Sequence, residues 1–255
     1  MDRLTYTALA GITEFNHPRF QVNNEIANVS TVGFKRSFVN ASRTVKISGD
    51  GFDTRFTPTN VSRDQIWLNP GPPMFTGNNT DIAMNDQTVL GVSNSKGELA
   101  FTRRGDLRVN NLGVLETANG QAVRGQNGPI SIPPGYAISF TADGSVFAQQ
   151  SSNGAATPPV QVGRLLLRDA SQVKLHRSSD GLFETTAAAE GGERDITNGK
   201  YPPSITPQTV EGSNVSPYEA MVRLLEMNRM FESNIKMIKE AKSIDESGAS
   251  MMKAS

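Results

Sequence analysis

His17 and His176 are the only imidazoles in the chain, and neither has a second ligand or a catalytic acid at helical spacing. Each is read as a solvated or structural histidine. The chain has no cysteine, which removes thiol nucleophiles, disulfides, iron–sulfur clusters and thiolate zinc sites. Neither phosphate-binding pattern, Gly-x-Gly-x-x-Gly or Gly-x-x-x-x-Gly-Lys, appears, and there is no Gly-x-Ser-x-Gly elbow to hold a nucleophile. The carboxylates Asp50, Asp53, Asp81, Asp86, Asp106 and Asp143 stand in turn-like contexts, where a short acid closes its own turn. A calcium loop would need them alternated within one short segment, which they are not. Lys35-Arg36 and Arg103-Arg104 read as solvated faces rather than anion sites. These residues give no catalytic, cofactor-binding or metal site, and no cofactor is expected.

The 25 basic and 25 acidic side chains cancel, so the field that a nucleic-acid binder or a polybasic membrane anchor requires is missing. No run approaches the roughly 20 apolar residues that span a bilayer, and Met1 to Gly11 has no apolar core of signal-peptide length. The expectation is a chain with no nucleic-acid partner and no direct membrane insertion, either cytoplasmic or exported without a cleaved signal.

With no chemistry to position, the elements carry the information. Leu4, Ala8, Ile12, Phe15, Val22, Ile26 and Val29 recur at helical steps along one stripe, with Pro18 expected to kink or split the helix. At the other end Ser216-Pro217-Tyr218-Glu219 combines a capping hydroxyl, a proline at the first helical position and an acid three residues after the cap. Behind it Met221, Leu225, Asn228, Phe231, Ile235 and Ile238 follow a repeat near 3.5 residues, which favours a coiled contact. From Pro217 to Ser247 such a helix would run about 46 Å. Between the ends, turn residues at Asn69–Pro73, Asn110–Gly113, Asn119-Gly120, Asn127–Pro129, Asp143-Gly144 and Asp180-Gly181 separate short strand-like runs. The predicted fold is α+β: N- and C-terminal helices pairing as a coiled-coil-like inner domain, around a central antiparallel β-rich domain. The boundaries are 1–36 for the N-terminal helical segment, 37–80 for a linker with a possible hairpin, 81–210 for the β-rich domain and 211–255 for the C-terminal helix.

Several segments, in order, carry a resemblance. Asn23 to Arg36, reading NNEIANVSTVGFKR, strongly resembles the N-terminal signature of the bacterial flagellar rod and hook proteins, departing from it at Glu25-Ile26. Phe101–Gly120, Gly128–Pro133 and Ala142–Val146 are similar to that family's central hairpin and strands. Val162–Leu167, Arg177–Phe183 and Glu211–Val222 resemble the proximal rod member more than the distal rod or hook members. Two features depart from the family: His17-Pro18 within the first helix, and Asn85–Thr88 where members often carry a glycine-rich aromatic strand.

The resemblance implies a non-enzymatic subunit of the proximal rod, the drive shaft that transmits torque and encloses an export channel. Implied partners are other rod subunits, copies of itself and the flagellar type III export apparatus; the implied location is the basal body, in the periplasm. The expected assembly interface is Leu4, Ala8, Ile12, Ile26, Ala27, Asn28, Val29, Gly33, Phe34, Asn214, Met221, Leu225, Asn228, Phe231, Ile235 and Ile238. The termini are expected to order on assembly. Two rivals stand beside this reading: a distal-rod or hook-like subunit of the same family, and a secreted β-rich enzyme or glycan-binding protein.

Overall fold

Turn residues cut the middle of the chain into short pieces, and each piece finds an antiparallel neighbour. In the computed structural model the described residues are 16–38, 45–49, 52–56, 65–152, 155–156, 158–189, 191–197 and 199–253. They divide into two compact units, one of residues up to Val29 together with those from Val215 onward, the other Ser30–Asn214.

The larger unit is built on a seven-stranded antiparallel sheet. Its order is Ser37–Phe38, Gln65–Ile66, Leu175–Arg177, Phe183–Thr185, Leu99–Thr102, Thr88–Ser93, Leu167–Asp169. Alternate side chains of a strand point to opposite faces, and here both faces are covered. Leu90, Val92 and Ala100 join one apolar cluster with Leu107, Leu115, Val123 and Ile138. Val89 and Phe101 join the other, with Ile66, Leu175 and Phe183. This is why Thr88–Val92 is buried without a break.

Hairpins extend the sheet, and polar side chains close their turns. Asn110 Oδ1 accepts from the amides of Leu112 and Val114 at 2.9 and 3.0 Å, setting the register of Leu107–Val109 against Leu115–Thr117. Asp143 does the same between Tyr136–Phe140 and Ser145–Ser152, and the hydroxyls of Thr141 and Ser145 hold its carboxyl down to about 2.

In the other unit the helix Pro217–Lys253 starts where the capping signature sets it. The Glu219 amide lies 3.4 Å from Ser216 Oγ, and the Ala220 amide donates to Ser216 O at 3.0 Å. Asn16–Ala27 is a separate helix with Pro18 in its first turn, where a missing N–H leaves no intrahelical bond unmade.

The expected α+β layout with terminal helices paired as a coiled coil is overturned. The described elements are mostly β-strands, with three helices among them, Asn16–Ala27, Thr186–Ala189 and Pro217–Lys253, of which only the last is long. At 1.5 Å per residue the described part of the first spans about 18 Å and the last about 55 Å, so that part can line about a third of the longer one. Their meeting is local: buried Glu25 accepts from Arg223 Nη2 at 2.7 Å. Met221, Leu225 and Phe231, expected in the paired seam, are exposed. Among the described residues the heptad stripe of the long helix is left largely exposed.

One close approach fixes the geometry around the next site. The Ile82 amide donates to Gly105 O at 2.9 Å, and a Cβ built on Gly105 would stand 1.7 Å from Ile82 O. Gly105→Ala must therefore move backbone, and its cost should reach or exceed the ~3 kcal/mol upper end of ordinary overpacking. Urea unfolding of the whole chain measures it; a midpoint equal to that of the unsubstituted protein would contradict the contact.

Candidate functional site

Three segments far apart in sequence each bring one charge to a single point inside the β unit. Lys35 comes from the turn that follows Gly33, Arg103 from just beyond the strand Leu99–Thr102, and Glu211 from the end of the strand Thr209–Glu211. All three are buried, Lys35 and Arg103 with no exposed surface at all. Lys35 Nζ donates to Glu211 Oε1 at 2.6 Å and to Asn69 O at 2.9 Å. Arg103 reaches both oxygens of the same carboxylate, Nε to Oε2 at 2.7 Å and Nη2 to Oε1 at 2.8 Å. This is the two-pronged geometry in which a guanidinium grips a carboxylate best. Its remaining donors go to backbone carbonyls, Nη1 to Asp86 O at 2.6 Å and Thr88 O at 2.9 Å, Nη2 to Met84 O at 2.9 Å. The Gly71 amide gives Glu211 Oε1 one more donor at 2.8 Å.

The backbone is drawn in with the charges. The Gly33 amide donates to Glu211 O at 2.7 Å. Gly33 has φ +69°, and a Cβ there would stand 2.4 Å from Arg103 O, so both conformation and space call for glycine. Asn214 ties the last residues of the unit to the first. Its Oδ1 accepts from the Arg36 amide at 2.8 Å, its Nδ2 donates to Trp67 O at 2.9 Å, and its amide donates to Phe34 O at 3.3 Å. The Arg36 guanidinium lies 4.7 Å from the Trp67 ring centre. Arg177 lies 4.4 Å from that of buried Phe34, and its Nη2 donates to Lys35 O. Burial lowers the Arg177 pKa.

Two cations and one carboxylate leave the node with an excess of positive charge, which lysine can shed and arginine cannot. Burial and the nearby Arg103 push the Lys35 ammonium down to about 8, against the pull of Glu211. The charged groups of Lys35, Arg103 and Glu211 find their partners within the unit. The arrangement holds segments together and presents nothing to a substrate. His176 is buried beside Thr186 Oγ1 at 2.9 Å. Among the described residues no group of His, Asp and Glu is placed to hold a metal, and no helix is long and apolar enough to cross a membrane.

Of the interface residues expected from the sequence, Leu4, Ala8 and Ile12 lie outside the described residues. The structure brings together Gly33, Phe34 and Asn214, at the node. The others belong to the helical unit. Ile26, Val29, Ile235 and Ile238 are half-buried, and Ala27, Met221, Leu225, Asn228 and Phe231 are exposed. Asn28 sits at the helix exit, its Nδ2 donating to Asn24 O at 2.9 Å. The reading of Lys35 and Arg103 as solvated faces is corrected: both are buried on one carboxylate. Glu211 was not singled out. The available signal was that all three stand inside segments that carry the family resemblance.

Comparison with known proteins matches two stretches of the chain to family models. Residues 83–148 match the flagellar hook protein FlgE/F/G D1 domain, and residues 206–251 match the C-terminal domain of flagellar basal body rod FlgEFG proteins. Arg103 lies in the first stretch and Glu211 in the second. The chain is 34% identical over 238 residues to the flagellar basal-body rod protein FlgF of Salmonella typhimurium, covering 93% of each. It is 31% identical over 238 residues to FlgF of Escherichia coli, again covering 93% of each. With the basal-body rod protein FlgG of Bacillus subtilis it shares 27% over 258 residues, covering 93% of this chain and 94% of that one.

Removing one partner of a buried ion pair strands the others, at a cost of about 3–5 kcal/mol. Glu211→Ala should destabilise the β unit by that amount, read from the urea midpoint, and a midpoint close to the unsubstituted one would refute the node. Lys35 adds a pH signature. Its folded pKa of about 8 lies below the ordinary lysine value of 10.5, so the unfolded chain holds more protons between those limits. Its contribution to stability therefore rises with pH from about 8 to 10.5 and is smallest below 8. Lys35→Met should flatten this rise when urea midpoints are compared across that range.

Proposed function

This chain belongs to the family of bacterial flagellar basal-body rod proteins, and from that premise we propose a place for it in the proximal rod. It is a structural subunit and not an enzyme, and the observation that carries this is the identity running over 93% of both chains. The proximal place is supported by the Glu211–Val222 segment, which resembles the proximal member and leads from the node into the long helix. The work proposed for it is that of a drive shaft: transmitting torque and enclosing an export channel. Proposed partners are other rod subunits and further copies of this chain, with delivery to the periplasm by the flagellar type III export apparatus.

The proposed assembly surface lies on the helical unit. Met221, Leu225 and Phe231 are large apolar side chains left exposed, and such a face on an isolated chain marks a place where another molecule sits. Ile26, Ala27, Asn28, Val29, Asn228, Ile235 and Ile238 belong to the same reading, as do Leu4, Ala8 and Ile12. Gly33, Phe34 and Asn214 act inside the β unit. A distal-rod or hook-like place is the second reading, favoured by the hook-protein model that matches residues 83–148.

The test is genetic and structural. Cells lacking this chain should fail to swim, and the unsubstituted chain should restore swimming. Leu225→Asp combined with Phe231→Asp should not, although the β unit of the purified variant unfolds at the usual urea concentration. Electron microscopy of basal bodies would then place the chain in the rod. Complete, working rods in cells without it would sink the proposal.

A further inference from the structure

The chain enters the β unit at Ser30 and leaves it at Asn214. A pull along the chain therefore reaches this unit at those two places. The residues just inside them lie side by side. The Gly33 amide donates to Glu211 O at 2.7 Å, and Lys35 Nζ to Glu211 Oε1 at 2.6 Å. Further along, the Arg36 amide donates to Asn214 Oδ1 at 2.8 Å and the Asn214 amide to Phe34 O at 3.3 Å. The partners ascend together, Gly33 with Glu211 and Arg36 with Asn214, so the two segments run in the same direction. Ser30 then leads off one end of the pair, and Val215 leads off the other. Two segments drawn apart from the same end open bond by bond, whereas a pair drawn from opposite ends must slide and release its bonds together. The second case applies here. Lys35 and Arg103 have no exposed surface, so water is not at hand to replace the Glu211 bonds as they stretch. Asn214 is anchored as well, its Nδ2 donating to Trp67 O at 2.9 Å and to Asn69 O at 3.2 Å.

We propose that residues 33–36 and 211–214 form a clasp loaded in shear, through which a pull on the chain crosses the β unit without reaching its sheet, and that Asn214 is the positioning residue that closes it. The part this clasp plays in passing torque rests on the rod reading above. Forced unfolding follows the barrier to unfolding along the direction of the pull, not the equilibrium stability of the unit. A shear clasp raises that barrier for one direction only. Asn214 contributes at both levels: its Oδ1 joins the two segments, and its Nδ2 fixes them to the stretch after the strand Gln65–Ile66. With Asn214 closed, force entering at Ser30 passes across four bonds to the exit; with it removed, the segments are held at the Glu211 end and peel from the other.

Two measurements test the clasp and its role separately. The chain has no cysteine, so a pair of introduced cysteines gives two unique handles for optical tweezers on the full-length protein. S30C/Y218C pulls through the clasp, and N111C/S179C pulls on turns outside it; all four positions are exposed. The first pair should unfold the β unit at the higher force. N214A should bring that force down to the level of the second pair and leave the second pair where it was, a difference that a general loss of stability does not produce. Should N214A not fold, N214D, which keeps the acceptor and loses both donors, must show the same directional loss. Equal forces from the two pairs before substitution, or an equal drop in both after it, would overturn the clasp. In cells lacking the chain, N214A should restore swimming in dilute medium but not in viscous medium, where the unsubstituted chain still swims. Undiminished swimming of N214A under viscous load would overturn the link to torque. If the unsubstituted chain fails to restore swimming at all, the rod reading falls while the force measurement keeps its own meaning.

Discussion

The β unit is organised around one carboxylate that has no access to water. Glu211 is buried with Lys35 and Arg103, and an unpaired charge in such a place would cost several kcal/mol. The cost is offset by the partners around it: all five N–H groups of Arg103 are taken, by Glu211 and the carbonyls of Met84, Asp86 and Thr88, and Lys35 and the Gly71 amide add three more bonds, one of them to Asn69 O. Such a network tolerates little displacement. It therefore selects one arrangement of the segments around residues 35, 70, 84–88, 103 and 211 over others that would pack apolar groups equally well.

That selection matters because apolar packing alone does not fix this unit. Its sheet is covered on both faces, and the clusters on the two sides are made of similar Leu, Ile, Val and Phe side chains. A slip of one residue along a strand would exchange the faces and still bury apolar surface. Arg103 forbids the slip. Its guanidinium takes Met84 O, Asp86 O and Thr88 O on one side and Glu211 on the other, so the residues on either side of the Asp86-Gln87 turn can sit in one register only. Gly33 and Asn214 then fasten the first residues of the unit to the last ones.

What was legible in the sequence was local. Ser216 announces the helix because a cap is made within four residues, and Asn110 and Asp143 announce hairpins because they bond to amides two to four residues away. The family, too, was legible, since its signature segments follow one another in order along the chain. The burial of Lys35 and Arg103 was not, because their partner is 176 and 108 residues distant; within any short window a Lys-Arg or Arg-Arg pair looks solvated. The coiled pairing of the termini failed for a related reason. A repeat of apolar positions states that a helix has a stripe, but it carries no information about which surface covers that stripe. Among the described residues, the Glu25–Arg223 pair ties the shorter helix to the first turns of the long one.

The long helix makes the final step. Isolated helices draw most of their stability from packing, and this one runs for 37 residues with Tyr218, Met221, Val222, Leu225, Phe231 and Ile244 exposed. Ala220 and Ala241 are its buried apolar positions, and both are small. The two units thus divide their free energy in opposite ways: the β unit encloses charges that it pairs from within, and the helix displays apolar surface that the described residues leave open. A subunit built so is complete in one half and unfinished in the other. On the assembly surface proposed above, the unfinished half gains its burial from neighbours, which is the physical requirement of a molecule that persists as part of a rod.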